Sequence, residues 1–153
     1  MIQIKKSQNA DSRTMTGEPS KEELLKSSAQ HISDVQKGMA FMAGKLIEAG
    51  TCHDHTKLTG IDDLFESYSK KLTGNDFKAE KWYQSHLTER HHLLDRCPDD
   101  VTLIDVIERI VDITMAGMAR SGFVYDDEIP NEILQKAFKN TLELLKTNIE
   151  VGK

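Results

Sequence analysis

Apolar residues recur at intervals of three, four and seven along nearly the whole chain, while the alternation typical of strands is almost absent. A chain patterned this way hides its apolar faces by packing helices against one another. Its 153 residues suffice for one domain with its own core. The expected fold is therefore all-α, a compact bundle of five or six helices formed by residues 20–153. Residues 1–19 are polar and aperiodic and read as a flexible arm or a short segment lying on the domain. Aromatics make up only 6% of the chain, which fits helices better than sheet.

Charge narrows the function classes. Twenty basic against 25 acidic residues leave a net charge of −5, which argues against broad nucleic-acid binding. No apolar run approaches the roughly 18 residues of a membrane span, so no membrane partner is expected. The first twenty residues lack the apolar core of a signal peptide. Cys52 and Cys97 make neither a disulfide framework nor a cysteine-only zinc site. A reducing cytoplasm is the expected compartment, that of the host if the chain is phage-encoded.

Ser20 and Glu23 form a capping box for a first helix over 21–49, with Gly50 as its C-terminal cap and Gly38 and Gly44 as points where it can break. Leu24, Ser28, His31, Val35, Met42 and Leu46 share one face of it. A short helix or turn follows around His53–Lys57, then helices over 61–72 and 77–92. Thr102 and Asp105 cap a central helix over 103–120, and Pro130 opens the last, reaching 149.

The histidines carry the chemistry. Adjacent His53 and Asp54 can offer nitrogen and oxygen ligands to one divalent ion. His31 lies on an apolar face, where an imidazole is either a hydrogen-bonded core residue or a ligand. Asp112 lies on the narrow polar stripe of the most apolar helix, shared with Asp105 and Glu108, and small residues Ala116 and Ala119 follow it. A solvated stripe is the competing reading. His86, His91 and His92 fall within seven positions. His86 and His91 diverge by about 140° on a helix and His91 and His92 by about 100°. At most two can reach one site unless the helix ends near Arg90. His55, one residue from His53, points elsewhere, and Cys52, Trp82 and the methionines are packing residues.

The order His31, His53-Asp54, Asp112 on separate helical segments resembles the HD-domain superfamily of metal-dependent phosphohydrolases. It is closest to an uncharacterised branch common in phages and bacteria. That branch carries a His-Asp-x-Ser/Thr-Lys turn, a Trp-x-x-x-His segment, a His-His pair and an Asp-x-x-Glu-x-x-x-Asp helix. The corresponding residues are His53–Lys57, Trp82–His86, His91-His92 and Asp105–Asp112. The resemblance covers roughly residues 25–120. Lys57 stands where some nucleotidases of the superfamily place a catalytic glutamate, and matches the His-Asp-x-x-Lys pattern of its cyclic-dinucleotide phosphodiesterases. The Gly-Tyr-Pro signature of those enzymes is missing, so their substrate is not carried over.

The resemblance implies an HD-like helical fold and a metal-dependent phosphohydrolase, a phosphatase or phosphodiesterase, acting on a small nucleotide or related phosphate ester. It implies one or two divalent ions (Mn, Fe, Co, Ni, Zn or Mg) on His31, His53, Asp54 and Asp112, with His86 and His92 as further ligands. Asp54 and Lys57 would be catalytic, and Lys57, His91 and Arg120 would contact substrate phosphate. Arg90 and Arg96 are weaker candidates for that contact. A homodimer is compatible with this reading. The alternative is a non-catalytic accessory protein with the same fold, which holds a metal without turnover or binds a host partner.

Overall fold

The structure is a computed structural model that describes residues 1–6, 15 and 17–152. Among these, seven helical segments and two four-residue strands make up the regular structure, so the fold is all-α as expected. Among the described residues, no helix is long and apolar enough to cross a membrane.

Contacts divide the chain into two units, one of residues 1–45 with 142–153 and the other of residues 46–141. The first contains strand β1 (Ile2–Lys5), most of helix α1 (Lys21–Cys52), the end of helix α7 (Asn131–Thr147) and strand β2 (Ile149–Gly152). The two strands pair in parallel, Ile2 opposite Ile149 and Lys5 opposite Gly152. Ile2 is buried, and the Gln30 amide on α1 donates to the Lys5 carbonyl. The expected arm is therefore a paired strand at its start, and its residues 7–14 and 16 lie outside the described residues.

Ser20 caps α1 as expected, with its backbone N–H and hydroxyl both donating to the Glu23 carboxylate. The helix then runs unbroken through Gly38, Gly44 and Gly50 to Cys52. Glycine in a helix interior costs only about 1 kcal/mol, and added Cβ atoms at these three positions would meet nothing within 4 Å. Neither the expected break nor the cap at Gly50 forms.

The second unit holds the rest. Helices α2 (His55–Thr59) and α3 (Ile61–Ser69) meet at Gly60. The helix expected over 77–92 is instead two short ones, α4 (Gly74–Lys78) and α5 (Lys81–His86), followed by turns. Tertiary ties explain the split. Glu80 is extended, and its carboxylate accepts bonds from the Ser67 hydroxyl and the Lys70 ammonium. Helix α6 (Leu103–Ser121) starts at the expected cap, where the Thr102 N–H and hydroxyl donate to Asp105. Asp105 also takes Arg90 and is buried, so it is no part of a solvated stripe. The core of this unit is Leu93, Val101, Val106 and Ala137, flanked by Cys97, Leu103, Ile129, Ile133 and Leu134.

Candidate metal centre

Asp54 takes a left-handed backbone conformation (φ 53°, ψ 26°) at the start of α2. Aspartate tolerates this region better than most residues, at a cost of about 1–2 kcal/mol. The turn places His53 and Asp54 opposite α6 and the loop after α5, so that three segments of the second unit meet here.

His53 Nε2 lies 3.5 Å from Asp54 Oδ2 and 3.5 Å from Asp112 Oδ1. Its other nitrogen, Nδ1, donates to Glu108 Oε1 at 2.9 Å. His91 is almost fully buried. Its Nε2 is 3.5 Å from Asp54 Oδ1, and its Nδ1 is 3.2 Å from the same Glu108 oxygen, within ion-pair distance but outside hydrogen-bond alignment. His86 Nε2 is 3.7 Å from Asp54 Oδ1 and 3.1 Å from His92 Nε2, while its Nδ1 is bonded to the Thr56 hydroxyl at 2.9 Å. Trp82 stacks on the His86 ring at 5.0 Å, in its expected packing role.

Four imidazoles thus turn Nε2 toward Asp54 or toward each other. Two of them hold Nδ1 in a hydrogen bond to an outer oxygen atom, of Glu108 or Thr56, and His91 turns its Nδ1 toward Glu108. That is the arrangement in which outer groups fix the ring and tautomer of a metal-binding histidine. Two groups of three residues have ligand atoms within 4.8 Å of one another, namely His53, His91 and Asp112, and Asp54, His86 and His92. Asp54 faces both groups, with Oδ2 toward His53 and Oδ1 toward His86 and His91. Asp54 Oδ1 is buried with no hydrogen-bond donor. A buried carboxylate oxygen left without a donor is costly. A divalent cation would satisfy it, and mixed imidazole and carboxylate donors suit Mn, Fe, Co, Ni or Zn.

Protonation follows from these contacts. Burial, aided by the neighbouring His91 and His86, pulls His92 down to about 4, and burial lowers His86 as well. Burial opposes charge on His91 too, but the Glu108 carboxylate outweighs it and raises this group above the usual histidine value. Burial likewise works against the charge of Asp54, yet the Lys57 ammonium paired with it holds the carboxyl below its ordinary range.

Beside the ligands is a cleft of about 320 Å³, whose lining includes Asp54, Lys57, His91, Asp112, Arg120 and Tyr125. An apolar groove of about 450 Å³ opens on the other side of His53 and Asp112, between the end of α1 and α6.

Of the residues singled out from sequence, His53, Asp54, Asp112, His86, His91 and His92 come together, with Lys57 on Asp54 and Arg120 at the cleft. His31 does not join them. It is exposed, belongs to the first unit and is in neither ligand group. All three later histidines arrive rather than two. The helix ends at His86, short of Arg90, and His91 and His92 sit in turns free of the 100° rule. His91, expected to contact phosphate, is buried beside Glu108, stands among the candidate ligands and also lines the cleft. Glu108 and Thr56 were not singled out as site residues. Glu108 was legible, since it precedes Asp112 by four residues and shares its helix face. Nothing in the sequence marks Thr56 beyond its place in the turn.

Comparison with family models, with curated proteins and with solved structures finds no match.

Proposed function

We propose that this protein is a metal-dependent phosphohydrolase acting on a small phosphate ester, with a nucleotide as the expected class. The observation that carries the reading is the pair of His/Asp ligand groups, one containing Asp54 and the other within 3.5 Å of it, at the edge of a cleft that also holds Lys57 and Arg120. The resemblance to HD-domain phosphohydrolases supports the choice of reaction, by analogy only.

His53, His91 and Asp112 would hold one divalent ion, and Asp54, His86 and His92 a second. Such an ion offsets phosphate charge and makes water acidic enough to attack near neutral pH. The protein's own groups do the rest. Glu108 keeps the His53 ring oriented and stands against His91, and Thr56 does the same for His86. Lys57 would exchange its pairing with Asp54 for a non-bridging phosphate oxygen. Arg120 offers a second positive charge at the cleft, and Tyr125 presents a ring to the rest of the substrate.

Elemental analysis of the purified protein, followed by phosphate release from a panel of nucleotides, tests this. The expected result is bound divalent metal and turnover of at least one phosphate ester, both lost in Asp54→Ala. Wild-type protein that binds no divalent ion would overturn the reading.

A further inference from the structure

Helix α6 turns small after Asp112, at Ala116, Gly117 and Ala119, and the backbone of a later segment lies against it there. A Cβ on the buried Gly117 would come within 2.8 Å of the Phe123 carbonyl oxygen and 3.3 Å of the Val124 Cα. The Ser121 hydroxyl donates to the same Phe123 oxygen at 3.1 Å. The other anchor is Arg109, about 12 Å back along the helix from Gly117. Its Nε and Nη2 donate to the two carboxylate oxygens of Asp127 at 2.8 and 2.9 Å. Residues 123–127 thus form a strap over α6, from which Tyr125, Asp126 and Asp127 border the 320 Å³ cleft.

Arg109 makes a third contact. Its Nη1 donates to the backbone carbonyl of His91 at 3.3 Å, an oxygen that also accepts the Leu93 N–H at 2.8 Å. Next to Arg109 on α6, Glu108 stands against the ring of the same histidine. Neighbouring residues of one helix therefore hold His91 by its ring and by its main chain, in a stretch that belongs to no helix or strand. Exposed ion pairs contribute little, but the Arg109 and Asp127 side chains are only 12% and 19% exposed. The guanidinium also holds the Asp127 carboxyl below its ordinary range. A planar fork of five donors can hold a carboxylate and a carbonyl together, which a lysine ammonium on its flexible stem cannot match.

We propose that Arg109 is a positioning residue, fixing His91 of the candidate metal centre and the 123–127 strap of the cleft as one unit. Asp127, which is in neither ligand group, then influences metal binding from the strap. By linkage, whatever displaces the strap is felt at His91, and a metal on His91 is felt at the strap. The metal side of this role rests on the phosphohydrolase reading, and the tie between strap and turn does not.

Amide exchange measured by NMR on the metal-free chain tests the tie. Arg109→Met should speed exchange at Leu93 about tenfold, through loss of one charge-assisted hydrogen bond. Ala137, in the core of the same unit, should be unchanged. Asp127→Asn should move Leu93 in the same direction with Arg109 still present, and Arg109→Lys should not rescue it. Mn²⁺ titrated into the same variants should bind about tenfold more weakly than to wild type. Unchanged Leu93 exchange in Asp127→Asn overturns the proposal, as does full rescue by Arg109→Lys. Equal acceleration at Leu93 and Ala137 also overturns it, because the pair is then a plain stabiliser of the unit. Faster Leu93 exchange with unaltered Mn²⁺ affinity removes the positioning role. A wild type that takes up no divalent ion defeats the phosphohydrolase reading instead, and the exchange results alone then decide the tie.

Discussion

Asp54 carries the greatest burden of any single residue, because its two oxygens face both ligand groups and one of them has no donor. Asp54→Ala should abolish divalent-metal binding in calorimetric titration while leaving the helical signal intact. Glu108 acts at one remove. Glu108→Gln removes the charge that orients His53 and raises His91, and should weaken metal affinity about 10–100-fold, measured by the same titration. The pH profile of the metal-free protein follows from opposed shifts. His92 sits near 4 against an ordinary 6.5, so below 6.5 the unfolded chain takes up a proton that the native state refuses. Stability falls as pH drops through that window, and the lowered His86 acts in the same direction. His91 is raised, so its contribution is complete below 6.5 and is lost as pH climbs through its folded value. Thermal melts should therefore peak between these limits, near pH 6.5, and His92→Gln should flatten the acid side. His53 and Asp54 were legible as an adjacent imidazole and carboxylate in a polar turn, and Asp112 as a carboxylate followed by small residues on the most apolar helix. The roles of His91 and His92 were not, since an irregular turn has no period to read.

At the scale of elements, Gly60 controls how α2 approaches α5. A Cβ there would come within 2.9 Å of the Thr56 carbonyl and 3.1 Å of the Trp82 ring. Gly60→Ala should cost about 1–3 kcal/mol through this overpacking, read by chemical denaturation. It should also weaken metal binding, because Thr56 and Trp82 both hold His86. The start of α6 was readable from Thr102 and Asp105, since a capping box is a local interaction. The division between α4 and α5 was not, because Glu80 is held extended by Ser67 and Lys70 from α3 and its end, partners that no short window of sequence contains. The continuity of α1 was misjudged for the opposite reason. Glycine lowers helix propensity, but a long helix with a good N-terminal cap tolerates it.

At the scale of the whole molecule, all six candidate ligands belong to the second unit. A divalent ion at a hundred times its dissociation constant should stabilise that unit by about 2.7 kcal/mol. The rise in melting temperature should be present in wild type and absent in Asp54→Ala. The all-α class was plain from the pattern, because periodicity reports burial over many residues at once. The division into two units was not, since the first joins segments from both ends of the sequence and only the fold brings them together.

The parallel pairing of Ile2–Lys5 with Ile149–Gly152 also sets an order in time. The second unit is one continuous stretch, residues 46–141, and can fold as it leaves the ribosome. The strand at Ile2 emerges first, yet its partner is 147 residues downstream. At about 5–20 residues per second, that is a wait of about 7–30 s with an open strand edge. During synthesis the ligand-bearing unit is therefore complete before the unit that ties the two strands together.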